Sequence, residues 1–254
     1  KFEFRMLGSS ASVATPNIIL NTAVAEALSQ FAKELEGTAP EEMEHAVHEL
    51  IKRAVKKHKK VIFNGNGYTE EWIEEAKKRG LYNLVSTPDC LPQFIADKNV
   101  ELFTKHHIFT KEEIFSRYEI LLENYVKTIS IEAKTMKEML AKDFLPAVER
   151  YAAAVSDNMR SMKALAPSVP TASAASLVAF LGEAYEKISS SLDVLEKEIQ
   201  ETDKKTSMQE AADYCHNTLL ASMEELRKTA DEAEAKIPDE ELPYPTYDAL
   251  LFSV

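Results

Sequence analysis

The fold of this chain is decided by residues 181–199, which read LGEAYEKISSSLDVLEKEI. Apolar residues recur in this stretch at alternating intervals of four and three, which places them along one side of an α-helix. The residues on this side are Leu181, Tyr185, Ile188, Leu192, Leu195 and Ile199. This heptad pattern predicts a long helix whose apolar side is buried against other helices.

A second long helix is predicted after a polar turn at residues 203–207. Its apolar residues recur at helical intervals as far as residue 237: Ala212, Cys215, Leu219, Met223, Leu226, Ala230, Ala233 and Ile237. The two helices are expected to form an antiparallel hairpin that packs on helices of residues 110–165. Pro146 falls inside that earlier stretch, and because proline has no backbone N–H, we expect a kink or a break near Asp143.

The composition also indicates a mainly α protein. Of its 254 residues only six are glycine, about 2%, against roughly 7% in an average protein. Glycine is the usual residue of tight turns and bulges, so a glycine-poor chain is expected to be mostly helical. The exception is one short strand at the start, where Phe2 and Phe4 alternate with Glu3 and Arg5. We predict three regions: residues 1–36 (a strand and a helix), 37–109 (helical and irregular) and 110–254 (a long-helix bundle and tail).

The charge of the chain limits its partners. With 30 Lys and Arg against 42 Asp and Glu the net charge is −12, which disfavours nucleic acids and anionic membrane surfaces. No apolar stretch reaches the roughly 18 residues that a membrane-spanning helix needs. The two cysteines have no metal-binding spacing and fit the reducing cytoplasm. We therefore expect a cytoplasmic protein that binds neither nucleic acid nor membrane.

A basic cluster opposes this acidic balance. Its members are Lys52, Arg53, Lys56, Lys57, His58, Lys59 and Lys60. We favour a solvated helix end, where cations complement the helix dipole, over an anion or nucleic-acid site. A short strand is expected at residues 61–63, and the glycines of Asn64–Gly67 predict a turn rather than a backbone nest for an anion.

Glu3 and Arg5 are the candidate chemical residues. Two residues on the same side of a strand lie about 6.5–7 Å apart, so a carboxylate and a guanidinium can hold a divalent cation and an anion side by side. That arrangement suits phosphoryl transfer. On spacing alone, however, an ordinary surface strand is the better interpretation.

Several stretches resemble type III glutamine synthetases. Residues 2–12 (FEFRMLGSSAS) and 16–26 (PNIILNTAVAE) are similar to the end of the catalytic domain of that family, to which residues 1–36 would then belong. The resemblance extends to residues 63–68 (FNGNGY), 116–125 (SRYEILLENY) and 243–252 (PYPTYDALLF). It covers essentially the whole chain and points to the type III form, since shorter forms lack most of the long helical extension.

The resemblance implies a function. Glutamine synthetases ligate ammonia to glutamate with ATP as a substrate, through a glutamyl-phosphate intermediate, and use Mg²⁺ or Mn²⁺. Carried over to this chain, Glu3 is a ligand of the metal. Arg5 is the catalytic and substrate-binding residue, in contact with the transferred phosphoryl group and with glutamate. The family also implies a homo-oligomer built as a double ring.

The chain starts at Lys1, and the remaining metal ligands of the family would precede it. We therefore expect a C-terminal fragment that makes no glutamine alone. The alternative is a non-enzymatic helical-bundle module for oligomerisation or interaction, in which Glu3 and Arg5 form an ordinary strand pair. The apolar tail at residues 247–254 is expected to dock on the body of the protein or on a neighbouring subunit.

Overall fold

The computed structural model describes residues 11–252, except for the side chains of Tyr247 and Asp248. Within this range the chain is helical and contains no strand, which confirms the predicted mainly α class. The strand predicted at residues 2–5 lies outside the described residues. The chain divides into two compact units, Lys1–Tyr118 and Glu119–Val254, and each is described separately below.

The first unit is built from helices of 4 to 22 residues. The helices are α1 (Ala14–Leu35), α2 (Met43–His58), α3 (Glu70–Lys78), α4 (Thr87–Cys90) and α5 (Asp97–Lys105), followed by the start of α6 (Lys111–Met139). Tight 3₁₀ turns at Lys59–Val61 and Leu91–Gln93 follow α2 and α4. Thr110 and Glu113 cap α6 reciprocally. The Glu113 N–H donates to Thr110 Oγ1 (3.2 Å), and the Thr110 N–H donates to Glu113 Oε2 (2.8 Å).

The second unit contains the predicted bundle. Its elements after α6 are α7 (Leu145–Leu165), α8 (Ala172–Thr202), α9 (Met208–Tyr214), α10 (Leu220–Glu234) and α11 (Tyr247–Phe252). Both α7 and α10 pack along α8, and short connections at either end of α8 make the neighbouring helices antiparallel. The hairpin and its packing on the helices of residues 110–165 are thus confirmed.

The interruption expected near Asp143 is a π-turn at Leu140–Phe144, and the helix continues through it. Pro146 cannot donate a backbone hydrogen bond, and the wider turn just before it absorbs one extra residue. A second π-turn joins α9 to α10 at Cys215–Leu219. At both turns the apolar spacing departs from the heptad by two successive intervals of four: Leu140, Phe144, Val148 and Cys215, Leu219, Met223.

The core of the second unit runs along the heptad residues. Leu181, Ile188 and Leu195 on α8 are completely buried, and Tyr185 is partly buried at the margin of the cluster. The facing residues include Phe144, Val148, Cys215, Leu219 and Leu226. Burial raises the pKa of the Cys215 thiol, so this side chain packs as a neutral, small apolar group.

The tail is only partly docked. Leu242 and Tyr244 pack against the bundle core, but Leu251 and Phe252 are 74% and 80% exposed. Of the two alternatives expected for residues 247–254, docking on the body of this chain is not seen for Leu251 and Phe252. Docking on a neighbouring subunit stays a prediction. In the described part of the chain, no helix combines the length and the apolar character needed to cross a membrane.

Candidate functional site

The two residues predicted to carry chemistry, Glu3 and Arg5, lie outside residues 11–252. The structure therefore does not test the metal ligand, the phosphate contact or their spacing. Within the described range, no group of three or more His, Cys, Asp and Glu side chains is placed to hold a metal ion. The roles of Glu3 and Arg5 stay predictions, and no catalytic step is assigned to the residues described below.

Arg79, which lies just after α3, is a highly constrained polar side chain of the first unit. Its Nη1 donates to the backbone carbonyls of Lys60 (3.2 Å) and Ile62 (2.8 Å). Its Nε donates to the Glu75 carboxylate at 2.6 Å, and the side chain is only 27% exposed. One guanidinium therefore fixes the segment that leaves α2 against the end of α3.

The strand predicted at residues 61–63 is wrong. Val61 ends the 3₁₀ turn, and Ile62 is extended but has no partner strand among the described residues. The Ile62 carbonyl, which a strand would offer to its neighbour, is taken by Arg79. Apolar and β-branched residues favour strands only where a neighbouring strand completes the hydrogen bonds, and here a side chain does so.

An aromatic stack lies beside this arginine. The Phe63 and Trp72 rings lie 4.2 Å apart at an interplanar angle of 24°, and the Arg79 guanidinium lies 5.5 Å from the centre of the Trp72 ring. The Phe63 ring also covers Gly65, where a Cβ would lie 2.6 Å from the ring atom Cζ. A side chain at residue 65 would therefore displace the Phe63 ring from its present position.

The loop at Asn64–Gly67 is a turn, as predicted. Asn66 holds it through three local bonds: its Oδ1 accepts from the Tyr68 N–H (3.1 Å), and its carbonyl accepts from the Thr69 hydroxyl (3.1 Å) and N–H (3.4 Å). Thr69 directly precedes α3. The turn therefore connects the Phe63 ring to the helix that carries Trp72.

A basic cavity of about 430 Å³ opens at this junction, lined by Lys59, Lys60, Ile62, Asn64 and Arg79. The predicted basic cluster does lie at the end of α2, and two of its members form ion pairs there: Lys52 with Glu49 (3.2 Å) and Arg53 with Glu34. Its lysines at residues 56, 57, 59 and 60 form no ion pair with any described residue. Of the three cations that line the cavity, Lys59 and Lys60 thus lack a carboxylate partner in the described structure, whereas Arg79 is paired with Glu75.

A second polar cluster joins α1 to the end of α5. The Glu26 carboxylate accepts hydrogen bonds from Lys105 Nζ (2.7 Å to each oxygen), His106 Nε2 (2.6 Å) and Gln30 Nε2 (2.8 Å). Hydrogen bonds from Lys105, Gln30 and His106 lower the pKa of Glu26 to about 2. This carboxylate is ionised and fully engaged, so it acts as a structural junction.

Comparisons with known proteins agree with the resemblance seen in the sequence. Residues 46–163 match the family model of the glutamine synthetase C-terminal domain. A glutamine synthetase of Butyrivibrio fibrisolvens is 45% identical over 214 residues, which are 84% of this chain and 31% of the relative. This chain belongs to the glutamine synthetase family.

Two further relatives extend the similarity over the chain. A type-3 glutamine synthetase of Dictyostelium discoideum is 34% identical over 99% of this chain and 35% of its own length. A glutamine synthetase of Bacteroides fragilis is 28% identical over the whole chain and 36% of its own length. The chain spans about a third of the length of the glutamine synthetases that it matches, and the matched domain contains the basic cavity.

Proposed function

We propose that this chain is part of a cytoplasmic glutamine synthetase that ligates ammonia to glutamate. Support comes from the match of residues 46–163 to the glutamine synthetase C-terminal domain and from relatives that carry this name. In the proposed reaction the γ-phosphoryl group of ATP passes to the side-chain carboxylate of glutamate, and ADP leaves. Ammonia then forms the amide bond, and inorganic phosphate leaves.

Glu3 and Arg5 are the residues of this chain proposed to act in the reaction. A carboxylate is the ligand that Mg²⁺ or Mn²⁺ prefers, and the bound metal would neutralise charge between the phosphates of ATP. The Arg5 guanidinium can bind a phosphoryl group or a carboxylate through two parallel hydrogen bonds. Its proposed role is to hold the transferred phosphoryl group and the carboxylate of glutamate together.

Activity is proposed for the full-length protein, because this chain spans about a third of the length of the glutamine synthetases that it matches. The isolated chain is expected to make no glutamine. Glutamine formation by the purified chain, supplied with ATP, glutamate, ammonia and Mg²⁺, would contradict this part of the proposal.

The test of Arg5 uses the full-length enzyme. The Arg5→Ala variant is expected to lose orders of magnitude in turnover while its circular dichroism is unchanged. Arg5→Lys keeps the charge but loses the bidentate hydrogen bond, so its turnover should lie between that of the wild-type enzyme and that of Arg5→Ala. Near-normal glutamine synthesis by Arg5→Ala would remove Arg5 from the mechanism.

The test of Glu3 is a titration of Mg²⁺ against activity. Glu3→Ala is expected to need more Mg²⁺ for half-maximal turnover, since one oxygen ligand is lost. An unchanged titration curve would show that Glu3 is not a ligand.

The second candidate function is assembly through the helical bundle and tail. It is favoured by the exposure of Leu251 and Phe252, which are 74% and 80% accessible. If the tail joins subunits of a homo-oligomer, the double variant Leu251→Ser/Phe252→Ser of the full-length protein should sediment as a smaller species. An unchanged sedimentation coefficient would exclude the tail from the subunit interface.

A further inference from the structure

We propose that the basic cavity binds a small molecule that carries a phosphate group. The cavity lies in the first unit, and the proposed reaction assigns no role to any of its five lining residues. The inference is therefore independent of the proposed function. It rests on the shape of the cavity, its charge and the way in which Arg79 is held.

The shape favours a small ligand. The cavity has a volume of about 430 Å³, and small-molecule sites typically measure about 300–1,000 Å³. It is a recess open to solvent, formed where the segment leaving α2 meets the end of α3.

The charge favours an anion with more than one negative charge. Lys59, Lys60 and Arg79 line the cavity, and the two lysines pair with no described carboxylate. This accumulation of cations stands out in a chain whose net charge is −12. A phosphate monoester carries about −1.5 to −2 at neutral pH and offers several oxygen acceptors, which match ammonium and guanidinium donors.

The arginine is positioned before any ligand arrives. Its Nε and Nη1 are bound to Glu75 and to the carbonyls of Lys60 and Ile62, and its Nη2 bonds to no described residue. The Trp72 ring supports the guanidinium from one side. Because the side chain is already ordered, binding an anion through Nη2 costs little further conformational entropy.

The competing explanation is that the lysines only offset the negative end of the α2 dipole. That end is already served by Lys56 and Lys57, which lie in the last turn of α2. Lys59 and Lys60 lie beyond the helix, in the 3₁₀ turn that lines the cavity. The two pairs of lysines can therefore be compared directly, since each carries the same charge and only one borders the cavity.

A tryptophan beside the cavity serves as the fluorescent probe for the test. Trp72 is the single tryptophan, and it lies 4.2 Å from Phe63 and 5.5 Å from the Arg79 guanidinium. Inorganic phosphate is titrated into the 254-residue chain at constant ionic strength, with sodium chloride as the reference. We expect a saturable change in tryptophan fluorescence with phosphate and none with chloride. AMP and pyrophosphate are titrated next. If either binds more tightly than inorganic phosphate, the ligand is a larger molecule that carries the phosphate group.

Two matched double variants decide whether the cavity is the site. Lys59→Gln/Lys60→Gln should weaken phosphate binding by about tenfold or more, the loss expected when two charged contacts are removed. Lys56→Gln/Lys57→Gln removes the same charge outside the cavity and should change the dissociation constant by less than about twofold. Circular dichroism checks that both variants are folded. The proposal is overturned if phosphate acts no differently from chloride, or if both variants lose binding equally.

Discussion

In the second unit, completely buried aliphatic side chains form one continuous core, whereas in the first unit α1 buries little apolar surface and is joined to the end of α5 by polar contacts. Leu181, Ile188 and Leu195 on α8 are 0% exposed. On α1 the only buried residue is Thr22, and Val24 and Leu28 are 56% and 60% exposed. Stability in the second unit is therefore spread over many apolar contacts. In the first unit fewer apolar side chains are buried, among them Leu50, Phe103 and Ile114, and single polar and aromatic contacts add to them.

The largest effect is expected at the centre of the bundle. Leu195→Ala should lower the free energy of unfolding by about 2–5 kcal/mol, because the residue is fully buried and a cavity would remain. The measurement is urea denaturation followed by circular dichroism at 222 nm. The neighbouring Val194 is 49% exposed, so Val194→Ala should change stability by less than about 0.5 kcal/mol. Equal losses at the two positions would show that the heptad seam does not hold the second unit.

In the first unit a loss of stability should follow from adding one methyl group at residue 65. Gly65→Ala places a Cβ 2.6 Å from the Phe63 ring, so the ring must shift and its stacking on Trp72 is disturbed. The expected loss is about 1 kcal/mol, the worth of an aromatic pair, together with a change in tryptophan fluorescence. Gly67 has no atom within 4 Å of an added Cβ, so Gly67→Ala should leave the fluorescence unchanged.

Replacing glycine by alanine should raise stability at one position in the second unit and lower it at one position in the first. Gly182 is exposed within α8, and an added Cβ would meet nothing within 4 Å. Gly182→Ala should therefore stabilise the second unit by about 0.5–1 kcal/mol. Gly80 ends α3 with φ +68°, a left-handed conformation that L side chains rarely adopt, so Gly80→Ala should destabilise the first unit. Thermal denaturation of both variants measures the two signs, and a gain at Gly80 would contradict the argument.

The bundle could be predicted from the sequence because its signal is periodic. The heptad at residues 181–199 places its buried residues correctly, and α8 spans all of them. The π-turns also leave a signal in the sequence, the paired intervals of four around Phe144 and Leu219, and the first of them is also marked by Pro146. Nothing comparable to proline marks the turn at Cys215–Leu219.

The polar junctions of the first unit could not be predicted. Arg79 contacts the carbonyls of Lys60 and Ile62, 19 and 17 residues earlier, and Glu26 binds a lysine 79 residues later. Such contacts join single side chains across the fold and leave no period in the sequence. The assignments of Glu3 and Arg5 came from family resemblance and stay predictions. The run at residues 61–63 has strand propensity, yet Arg79 takes the place of a partner strand.

The smallest effect on stability is expected from substitution of Glu26, and this effect should depend on pH. The folded-state pKa of Glu26 is about 2, below its ordinary value of 4.5, so folding favours the ionised carboxylate. This contribution to stability is complete above about pH 4.5 and is lost as the pH falls towards 2. Glu26→Gln should therefore melt at a lower temperature than the wild-type chain at pH 7, and the difference should vanish near pH 2. The Lys105 side chain that pairs with Glu26 is 42% exposed, so solvent screens the interaction and the shift should be small.

Glu36 provides the control, since it lies just beyond α1 and forms no ion pair with a described residue. Glu36→Gln removes the same charge from the C-terminal end of α1 and should leave the melting temperature unchanged. If the two variants behave alike, the effect at Glu26 is one of net charge only. If Glu26→Gln keeps its deficit at pH 2, the deficit comes from lost packing, and the contacts with Lys105 and His106 are not electrostatic in origin. A deficit that disappears in step with protonation would instead establish that one ionised carboxylate ties α1 to α5, in contrast to the apolar seam of the second unit.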